Sequence, residues 1–319
     1  MSKVIVTGGV GFIGSHLSRA LLLAGHRVVI IDDFSDAPYP RASKEENQRD
    51  LEKEFGEKVS VQRISVTDVE AMRPHFEGAE TVFHLAGLAG VRPSFLDPAR
   101  YARVNVEGTA NVFELADACK ATKLLFASSS SVYGNSTPLP ASEASPCISP
   151  ESPYAASKRG AELVTLALAR RAVGLACVGL RFFTVYGPKQ RPEMAISSFT
   201  RAALAGEEVT LFGDGSMRRD FTHVDDIVRG ILAIHAHAKP GFDVFNLGSG
   251  APVDLTTMIS GIENATGKTL RYKVAPVPLG DVDATFADVS KAKELAGWAP
   301  QMKLEDGLKT VADWLRARS

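Results

Sequence analysis

Short apolar runs alternate with amphipathic stretches along most of the chain. KVIVTG (3–8), RVVIID (27–32), VSVQRI (59–64), TVFHLA (81–86), KLLFASSS (123–130) and ACVGLRF (176–182) read as strands, several apolar enough to be buried on both faces. Helical spacing occupies 12–25, 69–76, 99–120 and 153–173. Strands separated by helix-length segments predict an α/β fold, a doubly wound parallel sheet with right-handed crossovers. Residues 34–58, dense in Lys, Glu and Asp, read as a polar surface insertion. Beyond about residue 180 the alternation loosens, and GPKQRPEM and PVPLGD read as loops. The expected division is one domain over 1–180. Residues 181–319 then form mainly a smaller mixed α/β lobe, with some segments returning to the first domain. Asp225 is expected to cap a helix starting near residue 226.

Composition narrows the class. A formal net charge of −1 gives no electrostatic case for nucleic acid or a membrane surface as partner. The 45% hydrophobic content over 319 residues allows a full core. Cys119, Cys147 and Cys177 lack CxxC spacing, which argues against a disulfide framework and against a zinc site, and no metal is expected. There is no run of 18 apolar residues and no signal-peptide cleavage pattern. The expectation is a soluble cytoplasmic protein.

The first chemical signal is TGGVGFIGSH, where Gly9, Gly11 and Gly14 form G-x-G-x-x-G and Gly8 extends it. It follows a strand and opens a helix, as a pyrophosphate cradle of the Rossmann type requires. Asp32 ends the next strand, 18 residues after Gly14, where a carboxylate can bind both ribose hydroxyls. Asp32 would repel a 2′-phosphate, and neither Asp33 nor Phe34 supplies an arginine to receive one, so NAD is favoured over NADP. Asp68 ends a further strand and could take the adenine amino group, or be an ordinary loop aspartate. His84 reads as a packed core histidine.

The second signal is ESPYAASKRG (151–160), with Tyr154 one helical turn before Lys158. A tyrosine works as a general base only if its pKa falls from about 10 toward neutrality. A lysine on the same helix face can lower it. The serine cluster Ser128 to Ser131 ends a strand at the carboxyl edge of the sheet, where ligand crevices form in such folds. A hydroxyl there can hold a substrate oxygen beside the tyrosine. Ser128 and Ser130 are as readily explained by a polar turn.

Glycine loop, HLAG, SSSSVYG and YAASK in this order resemble the extended short-chain dehydrogenase/reductase superfamily, and within it the NAD-dependent nucleotide-sugar 4-epimerases. The resemblance continues through RFFTVYGP (181–188), LFGDGSMRRDFTHVDDIVRGI (211–231) and NLGSG (246–250). It implies a catalytic set of Tyr154, Lys158, Ser129 and Ser131. The cofactor contacts expected are Gly8, Gly11, Phe12, Ile13, Gly14, Asp32, Asp68, Val69, Leu85, Ala86, Gly87, Asn105, Tyr154 and Lys158. For the UDP-sugar they are Ser129, Ser130, Ser131, Tyr154, Thr184, Arg191, Met194, Phe199, Phe212, Gly213, Arg219 and Asp281. Related dehydratases and decarboxylases carry a glutamate just before VYG, and 127–134 holds no carboxylate. RFFTVYGPKQRPEMAIS is most similar to UDP-glucuronate 4-epimerases, which implies a sugar carboxylate held by Thr184, the serines and Arg191. An exposed loop charge is the alternative for Arg191. UDP-glucose or an N-acetylated UDP-sugar is the alternative substrate, since Thr285 leaves room at C2. Dehydratase or decarboxylase chemistry and a non-catalytic NAD-binding regulator are further alternatives. The resemblance also implies a homodimer built on the helices near 99–118 and 153–173.

Overall fold

A computed structural model of the chain describes residues 2–36, 39–277 and 282–318. Seven parallel strands form the central sheet. They are β1 (Lys3–Thr7), β2 (Arg27–Asp32), β3 (Val59–Arg63), β4 (Thr81–His84), β5 (Lys123–Ser129), β6 (Ala176–Phe182) and a seventh strand, Gly241–Leu247. The spatial order runs from Gly241–Leu247 through β6, β5, β4 and β1 to β2 and β3. The order reverses between β1 and β4, and the crevice beyond the carboxyl ends of those strands is where doubly wound sheets bind ligands. All four residues of β4 and all seven of β6 are buried, as strands covered on both faces require. The seventh strand comes from the C-terminal part of the chain and pairs with β6 along its whole length.

The helices Ala195–Ala205, Leu255–Thr266 and Leu304–Arg316 bury a separate core around Tyr186, Phe199, Leu211, Met258, Ile262 and Val311. Beside them lie short strand pairs, Glu208–Phe212 with Arg271–Ala275 and Arg218–Arg219 with Val253–Asp254. Among the described residues no helix is long and apolar enough to cross a membrane, and no group of three or more His, Cys, Asp or Glu could hold a metal. The three cysteines are free thiols.

Three local expectations are corrected. The insertion is not merely a polar surface segment. It forms the helix α2 (Arg41–Phe55), following α1 (Phe12–Leu23), and it buries Phe34, Tyr39, Lys44, Asn47 and Leu51. The expected helix 99–120 is broken. Pro98–Ala102 passes into a π-helical turn, Arg103–Glu107, before Gly108–Ala118 resumes, and that turn carries the buried Asn105. The cap near residue 226 is His223, whose ring accepts the Asp225 N–H, and the helix it opens is Val224–His237. Asp225 lies in the first turn, where a carboxylate complements the helix dipole.

Candidate active site

The glycine turn joins β1 to α1. Gly8 has φ +70°, and a Cβ there would stand 2.6 Å from the Ala86 nitrogen. A Cβ on Gly14 would stand 2.0 Å from the Gly8 carbonyl oxygen, so neither position admits a side chain. Gly11 is the N-cap of α1 and offers no side-chain cap, which leaves the first N–H groups of Phe12, Ile13 and Gly14 without an intrahelical acceptor. Asp32, at the end of β2, is 5% exposed. Its Oδ1 accepts from the Phe34 N–H at 3.0 Å and from the Lys44 ammonium at 3.0 Å. Burial pushes this carboxyl up, and Lys44 pulls against it. Lys44 also stands 3.7 Å from Asp33. Sequence reasoning looked for a cation directly after Asp32, whereas the fold brings one from α2.

Asp68 is a helix cap: its Oδ1 accepts from the Ala71 N–H at 3.1 Å, ahead of the helix Val69–Phe76, α3. After β4, Leu85 N–H bonds the Thr7 carbonyl at 2.9 Å and Ala86 N–H bonds the Thr7 hydroxyl at 3.2 Å, which holds this segment against the glycine turn. His84 is buried between Thr7 at 2.7 Å and Thr109 at 3.0 Å, and burial lowers its pKa to about 3, which keeps it neutral. Both ends of the Asn105 amide are engaged. Its oxygen accepts from Leu88 N–H at 2.7 Å, and its nitrogen donates to the Leu88 carbonyl and the Ser157 hydroxyl, each at 2.9 Å. Asn105 therefore shapes the crevice wall.

The helix Pro153–Ala169 carries Tyr154 in its first turn. Ser152 caps it by accepting the Ala155 N–H at 3.1 Å, and Pro153 begins it. The Tyr154 ring meets Tyr101 edge-on with centroids 6.2 Å apart, and Ser129 is near enough to act on its phenol. Burial raises the Tyr154 pKa, while Ser129 and the Arg191 charge act to lower it. The Lys158 ammonium donates to the Ala127 carbonyl at 2.9 Å. Burial lowers the lysine's own pKa to about 8. A Cβ on Gly87 would stand 3.0 Å from both the Lys158 ammonium and the Asn105 carbonyl oxygen, so the bare glycine keeps the floor of the crevice open.

The substrate-side residues divide. Ser129 Oγ accepts from the Ser131 N–H at 3.1 Å in a tight turn that leaves Ser130 and Ser131 half-buried. Thr184 begins a short strand and is half-buried. The Arg191 side chain is mostly enclosed, pairs with Glu193 at 2.9 Å, reaches the Met194 sulfur at 3.2 Å, and acts electrostatically on Tyr154 and Tyr101. It is therefore no free loop charge. Phe199 is buried and packs in the second core with Tyr186 and Leu211. Phe212 is half-buried under the Arg92 guanidinium, 4.4 Å from its ring centroid, and Gly213 follows with φ +76°. Arg219 donates to the carbonyls of Arg218 and Asp283, at 3.0 and 3.2 Å. Thr285 accepts the Asp220 N–H at 3.0 Å. Asp281 lies outside the described residues.

One feature went unread in the sequence. Glu162, one turn beyond Lys158 and fully buried, accepts from Ser128 at 2.6 Å and from Arg159 at 2.8 Å. It also takes a two-pronged bond from Arg181 at 2.9 Å. Arg181 donates to the Tyr133 hydroxyl at 3.0 Å, and that hydroxyl donates to Asn246 at 2.6 Å. The network ties β5, β6, the seventh strand and the Tyr154 helix into one block beneath the serine turn. Opposite charges inside GAELVT and ACVGLRF were the available signal.

A sequence model of the NAD-dependent epimerase/dehydratase family matches residues 4–248. The chain is 38% identical over 318 residues to a UDP-glucuronate 4-epimerase from Thermodesulfobacterium geofontis, covering 98% of this chain and 96% of that one. It superposes with a TM-score of 0.89 and 33% identity on UDP-glucuronic acid 4-epimerase from Bacillus cereus in complex with UDP-glucuronic acid and NAD, over 99% of this chain and all of that one. A UDP-glucose 4-epimerase from Thermotoga maritima, solved with UDP-glucose, matches at 34% identity and a TM-score of 0.88 over 99% of both chains.

Proposed function

The chain belongs to the NAD-dependent epimerase/dehydratase family, and from that premise we propose that it interconverts UDP-glucuronate and UDP-galacturonate at C4. The observation that carries the choice of sugar is Arg191, enclosed beside Tyr154 on the loop that follows Thr184. An arginine there suits a planar carboxylate, and short hydroxyls complete its hydrogen bonding.

The uncapped start of α1, the side-chain-free Gly8, Gly14 and Gly87, and the buried Asp32 fit NAD. NAD held by these residues would supply a reversible hydride acceptor for the sugar C4. Tyr154 receives the proton of the 4-hydroxyl and gives it back. Ser129 orients that hydroxyl beside the phenol. Lys158 adds positive charge at the floor of the crevice, beside Gly87. The serine turn contains no carboxylate in 127–134, so no residue there serves to eliminate water at C5–C6. Epimerisation needs no such group.

Oxidation at C4 makes the sugar a β-keto acid. Such an acid loses carbon dioxide when its C–COO⁻ bond stands perpendicular to the carbonyl plane. Thr184, Ser130, Ser131 and Arg191 hold the carboxylate out of that geometry. A charge-assisted hydrogen bond contributes roughly 1.5–3 kcal/mol, about ten- to a hundredfold in partition. Arg191→Met and Thr184→Val are expected to depress UDP-glucuronate turnover by that factor and to release a decarboxylated 4-keto pentose, resolved by chromatography. Equal losses on UDP-glucose, or wild-type activity on UDP-glucose with none on UDP-glucuronate, would identify UDP-glucose as the sugar.

Asp32 is proposed to hold the adenosine ribose. Asp32→Ala removes the carboxylate that Lys44 now faces at 3.0 Å and frees that ammonium for a 2′-phosphate. NAD affinity is expected to fall and the NADP-to-NAD affinity ratio to rise by about tenfold or more, measured by titrating both cofactors. Unchanged selectivity would place the ribose contact elsewhere. The dimer is proposed on the outer face of Pro153–Ala169, where Leu163 and Leu166 are exposed, with Val173 just beyond. Light scattering should then give twice the chain mass of 34.1 kDa, and a monomer at micromolar concentration would refute it.

A further inference from the structure

We infer that the 34–58 segment is an internal brace: a buried hydrogen-bond chain through Asn47 and Tyr39 sets the position of the loop carrying Arg191 relative to the glycine turn. The inference rests on the reading that Arg191 holds the sugar carboxylate. Asn47 sits within α2 and is 2% exposed. Its amide donates to the Val10 carbonyl at 2.8 Å, inside the glycine turn, and to the Tyr39 hydroxyl at 3.3 Å. The Tyr39 hydroxyl donates to the Lys189 carbonyl at 3.0 Å. Lys189 stands two residues before Arg191.

The direction of the chain is fixed by chemistry. A carbonyl only accepts, so Tyr39 must donate to Lys189 and accept from Asn47. Burial pushes the Tyr39 pKa up to about 12, so the donor keeps its proton at physiological pH. The loop needs such an anchor. Lys189 has φ +66°, the left-handed region that a non-glycine residue adopts only when its surroundings hold it there. Its ammonium bonds Asp50 of α2 at 2.9 Å, His16 of α1 contacts the Pro188 carbonyl at 3.0 Å, and Gln190 donates to the Val185 carbonyl at 2.9 Å. The loop is thus gripped mainly by the two helices that enclose the glycine turn. Tyr39→Phe leaves the half-buried Lys189 carbonyl without this donor.

Tyr39 and Asn47 are positioning residues, so the test reads what a purely structural role would not move. With the purified full chain, Tyr39→Phe should raise the UDP-glucuronate KM and the decarboxylated share of product about tenfold, with kcat and bound NAD changed less than about threefold. Asn47→Ala, whose side-chain hydrogen bonds go to Val10 and Tyr39, should give the same shift. The double variant should be no worse than the poorer single one, as for two links of one chain. Glu54→Ala, on the exposed face of α2 and paired with Arg19, should change both readouts less than about twofold. An unchanged KM and product ratio in Tyr39→Phe, or additive effects in the double variant, would overturn the brace. Should Tyr39→Phe fail to accumulate as folded protein, Asn47→Ala carries the same decision. If the wild type turns over UDP-glucose and not UDP-glucuronate, the proposed function fails, and the brace is judged on the pH–rate profile with UDP-glucose. Tyr39→Phe must then shift the acidic limb in the direction that Arg191→Met does, and no shift would refute it.

Discussion

Tyr154→Phe is expected to lower turnover by about 10²–10⁴-fold while the fold and the bound NAD remain, because a positioned acid/base group is worth that much. The aromatic contact with Tyr101 survives the change, since only the hydroxyl is lost. The pH profile sharpens the test. Burial raises the Tyr154 pKa, with Ser129 and Arg191 opposing, so the wild-type rate should climb with pH as the phenol approaches ionisation. The phenylalanine variant should lose that limb. Arg191→Met, which removes a lowering influence, should move it to higher pH. Near-wild-type turnover in Tyr154→Phe would remove Tyr154 from the chemistry.

The largest expected stability effect lies under the site. Arg181→Met leaves Glu162 buried without its two-pronged partner, a change that costs about 3–5 kcal/mol when one member of a buried pair is removed. Denaturant unfolding of the variant measures it, and a loss under about 1 kcal/mol would mean that Arg159 and Ser128 suffice to satisfy the carboxylate. Replacing both charges, as Arg181→Met with Glu162→Leu, should recover much of the loss. Burial pushes the Glu162 carboxyl up, but the Arg181, Ser128 and Arg159 bonds outweigh it and hold the pKa below the usual range. A depressed carboxylate stabilises the folded state fully above its ordinary pKa of about 4.3 and loses that contribution as pH falls through the folded value. The wild type should therefore lose stability on acidification more steeply than the doubly apolar variant.

What the sequence disclosed follows from what side chains advertise. β1, β2, β6 and α3 were legible because apolar runs and helical periodicity mark burial directly. The glycine turn, Tyr154 and Lys158 were legible because their chemistry restricts spacing. α2 was not, because it buries polar groups: Lys44 and Asn47 look like solvent-facing residues until their partners Asp32, Val10 and Tyr39 are known. Glu162 and Arg181 are separated by 19 residues and meet only through the crossover of helix onto strand. Neither the broken helix at 103–107 nor the opening cap of Val224–His237 carries a side-chain pattern that singles it out.

The seventh strand has a consequence for how the chain is made. β6 is buried along all seven residues, and the strand that covers its edge ends only at Leu247. During synthesis some 60 further residues must follow β6 before that edge is covered, roughly 3–12 s at ordinary elongation rates. Over that interval a nascent chain presents an apolar strand edge able to pair with others. Asn246, which anchors Tyr133 and through it the Arg181–Glu162 pair, also arrives late. A fragment ending near residue 180 is accordingly expected to aggregate, and a stable cut of this protein must retain the chain at least through Leu247.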